Sequence, residues 1–165
     1  MAVCYQINLQ RNFGGGEIYT RFFSEALIAL GWDVELFIAR DAGFWRPLNM
    51  AGVSLHEVSS EAQILDALPC QPGLVVTHTA ASPGFASTLA QRHRLTGFVH
   101  MPLYERIPAG FASYPRLFAV SRHVLDSARA RGLSNLHPEP LYGVADLTRR
   151  PGANGGKLGA GRVYD

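Results

Sequence analysis

Short apolar runs alternate with amphipathic segments from Ala2 to Leu141, and that alternation limits the chain to few folds. Ala2–Leu9, Asp33–Ala39, Val53–Val58, Gly73–Thr77, Thr96–Val99 and Arg116–Val120 have the length and apolar character of buried strands. A helix is predicted over Glu17–Leu30, where Ile18, Phe22, Ala26 and Leu30 fall at helical spacing and Phe23 and Leu27 widen the stripe. Gly31 is its C-cap. Ser60 caps a short helix carrying Ile64, Leu65 and Leu68, stopped by Pro69. Ser82-Pro83 opens another that runs to Arg92. Ser121 caps one through Val124, Leu125 and Ala128, closed by Gly132. Leu136–Leu141 reads as a last short strand, interrupted by Pro138 and Pro140. Arg40–Gly52 is a loop, with Phe44 and Trp45 either folded back on the core or lining a cleft. Tyr104–Tyr114 is open between loop and short helix. Apolar strands joined through helices form a parallel sheet covered on both faces. The expected class is α/β, doubly wound and Rossmann-like.

Composition narrows the function classes. At 165 residues and 47% hydrophobic, the chain suits one domain with a filled core. That domain is assigned to residues 1–147, before a glycine-rich stretch, 148–165, that reads as a linker or boundary. Cys4 and Cys70 make neither a disulfide framework nor a C-x-x-C site, and no signal peptide precedes the first strand, so a cytoplasmic location is expected. A formal charge of +2, on scattered arginines and the single Lys157, gives no nucleic-acid partner. The six histidines lack H-x-x-x-H or H-E-x-x-H spacing, so no metal is expected. G-x-S-x-G and Walker A runs are absent.

The stretch Asn12-Phe13-Gly14-Gly15-Gly16-Glu17 lies where the first strand turns into the first helix. Unpaired N–H groups at a helix start, beside the positive end of its dipole, form a seat for an anionic group. Glycines there let a ligand approach the main chain closely. The same run also serves as a tight turn with no ligand. It does not match G-x-G-x-x-G, so the dinucleotide fingerprint is not met.

Ligands of open α/β sheets bind outside the carboxyl ends of the strands. This chain places there Asn12 with Gly14, Gly15 and Gly16, then His78 and Thr79, then His100, then Ser121 and Arg122. Each has a plainer use: a histidine satisfied by the backbone, Ser121 as an N-cap, Glu17 as a favourable charge on the helix dipole. Together they would put polar groups from four strand ends on one edge.

The residues resemble a family. Phe13-Gly14-Gly15-Gly16-Glu17-Ile18-Tyr19, with Leu30-Gly31-Trp32-Asp33-Val34 after it, is similar to the first βαβ unit of retaining GT-B glycosyltransferases of family 4. Phe118-Ala119-Val120-Ser121-Arg122-His123-Val124 and Gly132-Leu133 resemble that family's last N-domain strand and helix. Pro138 to Asp146 resembles the segment leading to its second domain, and His100 matches a histidine on the acceptor side of its cleft. Gly16 stands where alanine or valine is usual.

The resemblance implies the N-terminal, acceptor-side half of an enzyme that moves a sugar from a nucleotide-sugar to an acceptor with retention and without a metal cofactor. It implies that Gly14, Gly15 and Gly16 face the donor phosphates or sugar and that Glu17 anchors the loop. It places His100 on the transferred sugar or acceptor as the catalytic residue, with Ser121 and Arg122 at the cleft floor; His78 joins the binding set as a strand-end residue. Partners would be the donor, the acceptor and a C-terminal domain, with room for peripheral membrane association of the complete enzyme. The 165-residue chain is then expected to fold alone without catalysing transfer. A non-catalytic ligand- or partner-binding α/β domain is the alternative.

Overall fold

A computed structural model describes residues 2–48 and 50–143. Its six strands are β1 (Val3–Asn8), β2 (Asp33–Ala39), β3 (Val53–Val58), β4 (Leu74–Thr77), β5 (Arg94–Val99) and β6 (Leu117–Ala119). They form one all-parallel sheet in the order β3-β2-β1-β4-β5-β6. The chain moves outward from β1 in one direction, then returns to β1's other side with β4. The order therefore reverses between β1 and β4, which makes that gap the topological switch point.

Four helices and two 3-10 turns cover the sheet: α1 (Gly15–Ala29), α2 (Glu61–Ala67), α3 (Pro83–Arg92), α4 (Arg122–Ala130), and the 3-10 segments Gly43–Leu48 and Ala109–Ser113. The predicted caps form, with Ser60, Ser82 and Ser121 each accepting from the backbone N–H three residues on. Pro83 occupies the first turn of α3, where its missing N–H costs nothing. Helices α2, α3 and α4 share one apolar core with Ile7, Phe37, Val75 and Leu117. Helix α1 lies over the other face, with Cys4, Val34, Val76 and Phe98. The fold is thus the doubly wound, Rossmann-like α/β class.

Two expectations are corrected and one open alternative is decided. The first helix starts at Gly15 rather than Glu17, and its buried face is not the apolar stripe. Ala26 and Leu30 are exposed, while Glu17, Thr20 and Ser24 are buried with Tyr19 and Leu27. The reason is β1, which points Gln6 and Asn8 at this helix instead of apolar side chains. Leu136–Leu141 adds no ladder: it makes one isolated bridge, Leu117 with Leu136. Pro138 and Pro140 have no N–H to extend it, though Leu141 N still donates to Ala119 O. The Arg40–Gly52 loop contains a 3-10 turn that seats Trp45, fully buried, in a third core cluster with Leu36, Ile38 and Met50. Phe44, half-buried, packs against this cluster and meets Phe13 edge-on at 5.6 Å.

The proposed boundary at residue 147 and the stretch 148–165 lie outside the described residues.

Candidate functional site

Strand ends, not strand interiors, supply the site, because only there does the backbone leave the ladder. Past β1 the chain enters the glycine turn, and past β4 it enters His78-Thr79 on the other side of the switch point. Thr79 Oγ1 accepts from Leu9 N at 3.3 Å, tying the two exits together. Two adjoining cavities open at this edge. One of about 360 Å3 is lined by Asn12, Gly14, Gly15, Gly16, Glu17 and Tyr19, together with His78 and His100. The other, of about 440 Å3, shares Gln10, His78, His100 and Met101 with it and reaches Leu103 and Phe111. A larger cavity, about 510 Å3, lies between the opposite strand ends, around Tyr5, Trp32 and Arg94. It holds none of the convergent strand-end groups, so we place the candidate site at the switch point.

The glycine turn forms the N-terminus of α1, with Gly14 as N-cap in extended conformation. None of Gly14, Gly15 or Gly16 has the left-handed backbone that demands glycine. A Cβ on Gly15 would meet nothing within 4 Å, and one on Gly16 would lie 3.7 Å from the His100 ring in ordinary contact. The fold therefore does not force glycine at Gly15 or Gly16. What their missing side chains leave is open space beside the first N–H groups of a 15-residue helix.

His100 extends from the end of β5 to meet that turn. Its ring packs edge-on against Tyr19 at 5.1 Å and stacks with His78 at 5.6 Å. His78 is buried, and stacks on Phe98 at 5.1 Å. Burial among rings disfavours charge: His100 is held down to about 4. His78 is held well below the usual histidine range by its own burial and, second, by the nearby His100. Both imidazoles are thus neutral at neutral pH, serving as hydrogen-bonding groups rather than as acids. His78 Nδ1 and His100 Nε2 are buried and have no partner among the described residues.

The remaining expected residues divide. Glu17 is buried and lines the glycine cavity, accepting weakly from Asn8 Nδ2 at 3.4 Å. Ser121 spends its hydroxyl on capping α4, accepting from Val124 N at 3.2 Å. Arg122 is exposed and pairs with Glu139 at 2.8 Å. Neither lines either cavity, so the structure groups Gly14, Gly15, Gly16, Glu17, His78 and His100 and leaves Ser121 and Arg122 outside.

Two further polar contributors went unread in the sequence. Gln6 Oε1 lies 2.9 Å from His78 Nε2 as an acceptor, and Gln6 Nε2 donates to Ser24 Oγ at 3.0 Å. Asn8 Nδ2 donates to Thr20 Oγ1 at 2.9 Å. The signal was present: Gln6 and Asn8 alternate along β1, and Gly16, Thr20 and Ser24 recur every four residues on α1. Among the described residues, no three His, Cys, Asp or Glu side chains come together as a metal-holding set. No family model, curated protein or solved structure matches the chain.

Proposed function

We propose that this domain is the acceptor-side half of a retaining glycosyltransferase, moving a sugar from a nucleotide-sugar donor to an acceptor. The observation that carries the reading is the juxtaposition, at a switch-point cleft, of a side-chain-free helix N-terminus and two neutral imidazoles. The helix start favours developing negative charge on the leaving group. Neutral imidazoles suit hydroxyl groups, which a sugar presents in number. Among the side chains lining the glycine cavity there is one carboxylate, Glu17, and no Lys or Arg. A departing diphosphate needs fixed positive charge, so a second domain would have to supply it, as the family resemblance expects. His100 would touch the sugar or acceptor, and Glu17 would hold the turn through Asn8.

The same cation-poor lining also fits a non-catalytic domain that binds a neutral ligand. Calorimetric titration of the chain with UDP-, GDP- and ADP-sugars and with methyl glycosides, beside transfer assays, separates the two. The transferase reading expects weak sugar or donor binding, no turnover by the chain, and transfer once a donor-binding domain follows it. Turnover by the chain alone with micromolar donor affinity overturns the half-enzyme reading. Glycoside binding with no transfer in any longer form favours the binding domain.

A further inference from the structure

A buried chain of hydrogen bonds runs from α1 through β1 to the cleft, and its direction can be worked out group by group. It starts at the Thr20 carbonyl, which can only accept. Ser24 Oγ lies 2.8 Å from it and donates. With its proton committed there, Ser24 meets Gln6 as an acceptor, so the Gln6 NH2 faces Ser24 at 3.0 Å. The Gln6 carbonyl oxygen is then turned to His78, 2.9 Å from Nε2. A carbonyl accepts, so Nε2 must carry the proton. Gln6 and Ser24 are fully buried, so neither has water as a partner.

An uncharged imidazole has one proton. With that proton on Nε2, Nδ1 is left with a lone pair. This nitrogen is buried and has no partner among the described residues, while His78 itself lines both lobes of the cleft. An unsatisfied buried acceptor is costly and is an argument for a missing donor. The depressed basicity of His78 agrees with this geometry, since a second proton would sit against Phe98, Tyr19 and Phe23.

We propose that Gln6 and Ser24 are positioning residues that hold His78 as the Nε2–H tautomer, and that His78 Nδ1 thereby accepts a hydrogen bond from a hydroxyl of an uncharged ligand in the cleft. The choice of ligand class deepens the glycosyltransferase reading and rests on it; the tautomer does not. The cleft then has two chemically different walls. The start of α1 attracts negative charge, whereas His78 refuses an anion, because a lone pair repels one.

The test is imidazole nitrogen NMR on the 15N-histidine-labelled chain, with His78 assigned through His78→Gln. The wild type should show a protonated Nε2 and a bare Nδ1 at pH 7. Ser24→Ala releases the Gln6 amide to turn over, so the Nε2–H population should fall from near complete to roughly half. Gln6→Glu, which places a carboxylate against Nε2, should bring a second proton onto His78 near neutral pH. If Gln6→Glu does not fold, Ser24→Ala removes only one oxygen and carries the test. A wild-type Nδ1–H tautomer, or a Ser24→Ala spectrum identical to wild type, overturns the positioning role. For the ligand, methyl α-D-glucopyranoside and methyl α-D-mannopyranoside should move the His78 Nδ1 resonance and inorganic phosphate should not. A response to phosphate alone, or to none of the three, overturns the hydroxyl assignment. Intact tautomer and glycoside response with no transfer by any longer form would count against the glycosyltransferase and leave this inference standing.

Discussion

Gly15 separates a turn that the chain needs from a space that a ligand needs. Its backbone is not left-handed and a Cβ there meets nothing within 4 Å. Gly15→Ala should therefore leave stability unchanged or raise it by up to about 1 kcal/mol, since alanine loses less backbone entropy than glycine. Ligand binding in the glycine cavity should weaken several-fold, because the methyl group occupies that space. Urea unfolding and calorimetry measured on the same preparations check both. A fall in stability with binding intact would mean that the turn, and not the cavity, requires glycine. Gly97 behaves in the opposite way. A Cβ there would lie 2.6 Å from Thr77 Oγ1 and 2.8 Å from a Tyr114 ring carbon. Those two residues share a buried 2.7 Å hydrogen bond, and burial pushes the Tyr114 phenol up to about 12. Gly97→Ala should destabilise by about 1–3 kcal/mol, read as an earlier urea midpoint at unchanged m-value.

The elements show which parts of the fold were legible. β2 and β3 fall on the runs read from the sequence, and the others within two residues, because each run is bounded by turn residues or by a serine-capped helix. The three serine caps were legible because few residues can start a helix in that way. The face of α1 was not legible. Hydrophobic periodicity assumes that a helix buries its apolar stripe, and here the sheet beneath it offers Gln6 and Asn8, which Ser24 and Thr20 satisfy. The stripe carrying Phe22 and Ala26 instead lines a small cavity of about 170 Å3 with Leu141 and Tyr142. The candidate site was half legible for the same reason. Strand-end reasoning brought Gly14–Gly16, Glu17, His78 and His100 to one edge, but it could not tell a serine that caps its own helix, Ser121, from one that faces a cleft. Nor could it see that Arg122 turns to Glu139.

At the scale of the molecule, buried histidines make the fold sensitive to acid. His100 titrates at about 4 in the folded chain, its burial excluding the proton that the unfolded chain takes up near 6.5. A folded pKa below the unfolded one means that stability is complete above about pH 6.5 and is lost as pH falls towards 4. His78 adds to this in the same direction, with the His100 ring beside it; His93 is also held down, by burial and then by Arg92. The groups facing His100 are His78, the Tyr19 phenol and, across the glycine cavity, the Glu17 carboxyl. The loss attributable to His100 should be on the order of 2 kcal/mol between pH 7 and 4.5. Denaturant unfolding at the two pH values should show His100→Gln losing less than wild type, and an equal loss in both would remove His100 from the account. Among the described residues no helix is long and apolar enough to cross a membrane.

Tyr19 belongs to two places at once. Its ring rests against His100 and lines the glycine cavity, while its hydroxyl donates to Leu141 O at 2.8 Å where the chain passes over α1. Burial keeps that phenol protonated by raising it well above its ordinary range, so the donor is always armed. Leu141 is thus held to the body of the molecule by this phenol and by its own N–H on Ala119 O, and the other side of the phenol ring is a wall of the cleft. A shift of Leu141 would bear on the ring touching His100. The position of Leu141 and an occupant of the cleft would both act on the angle of one aromatic plate.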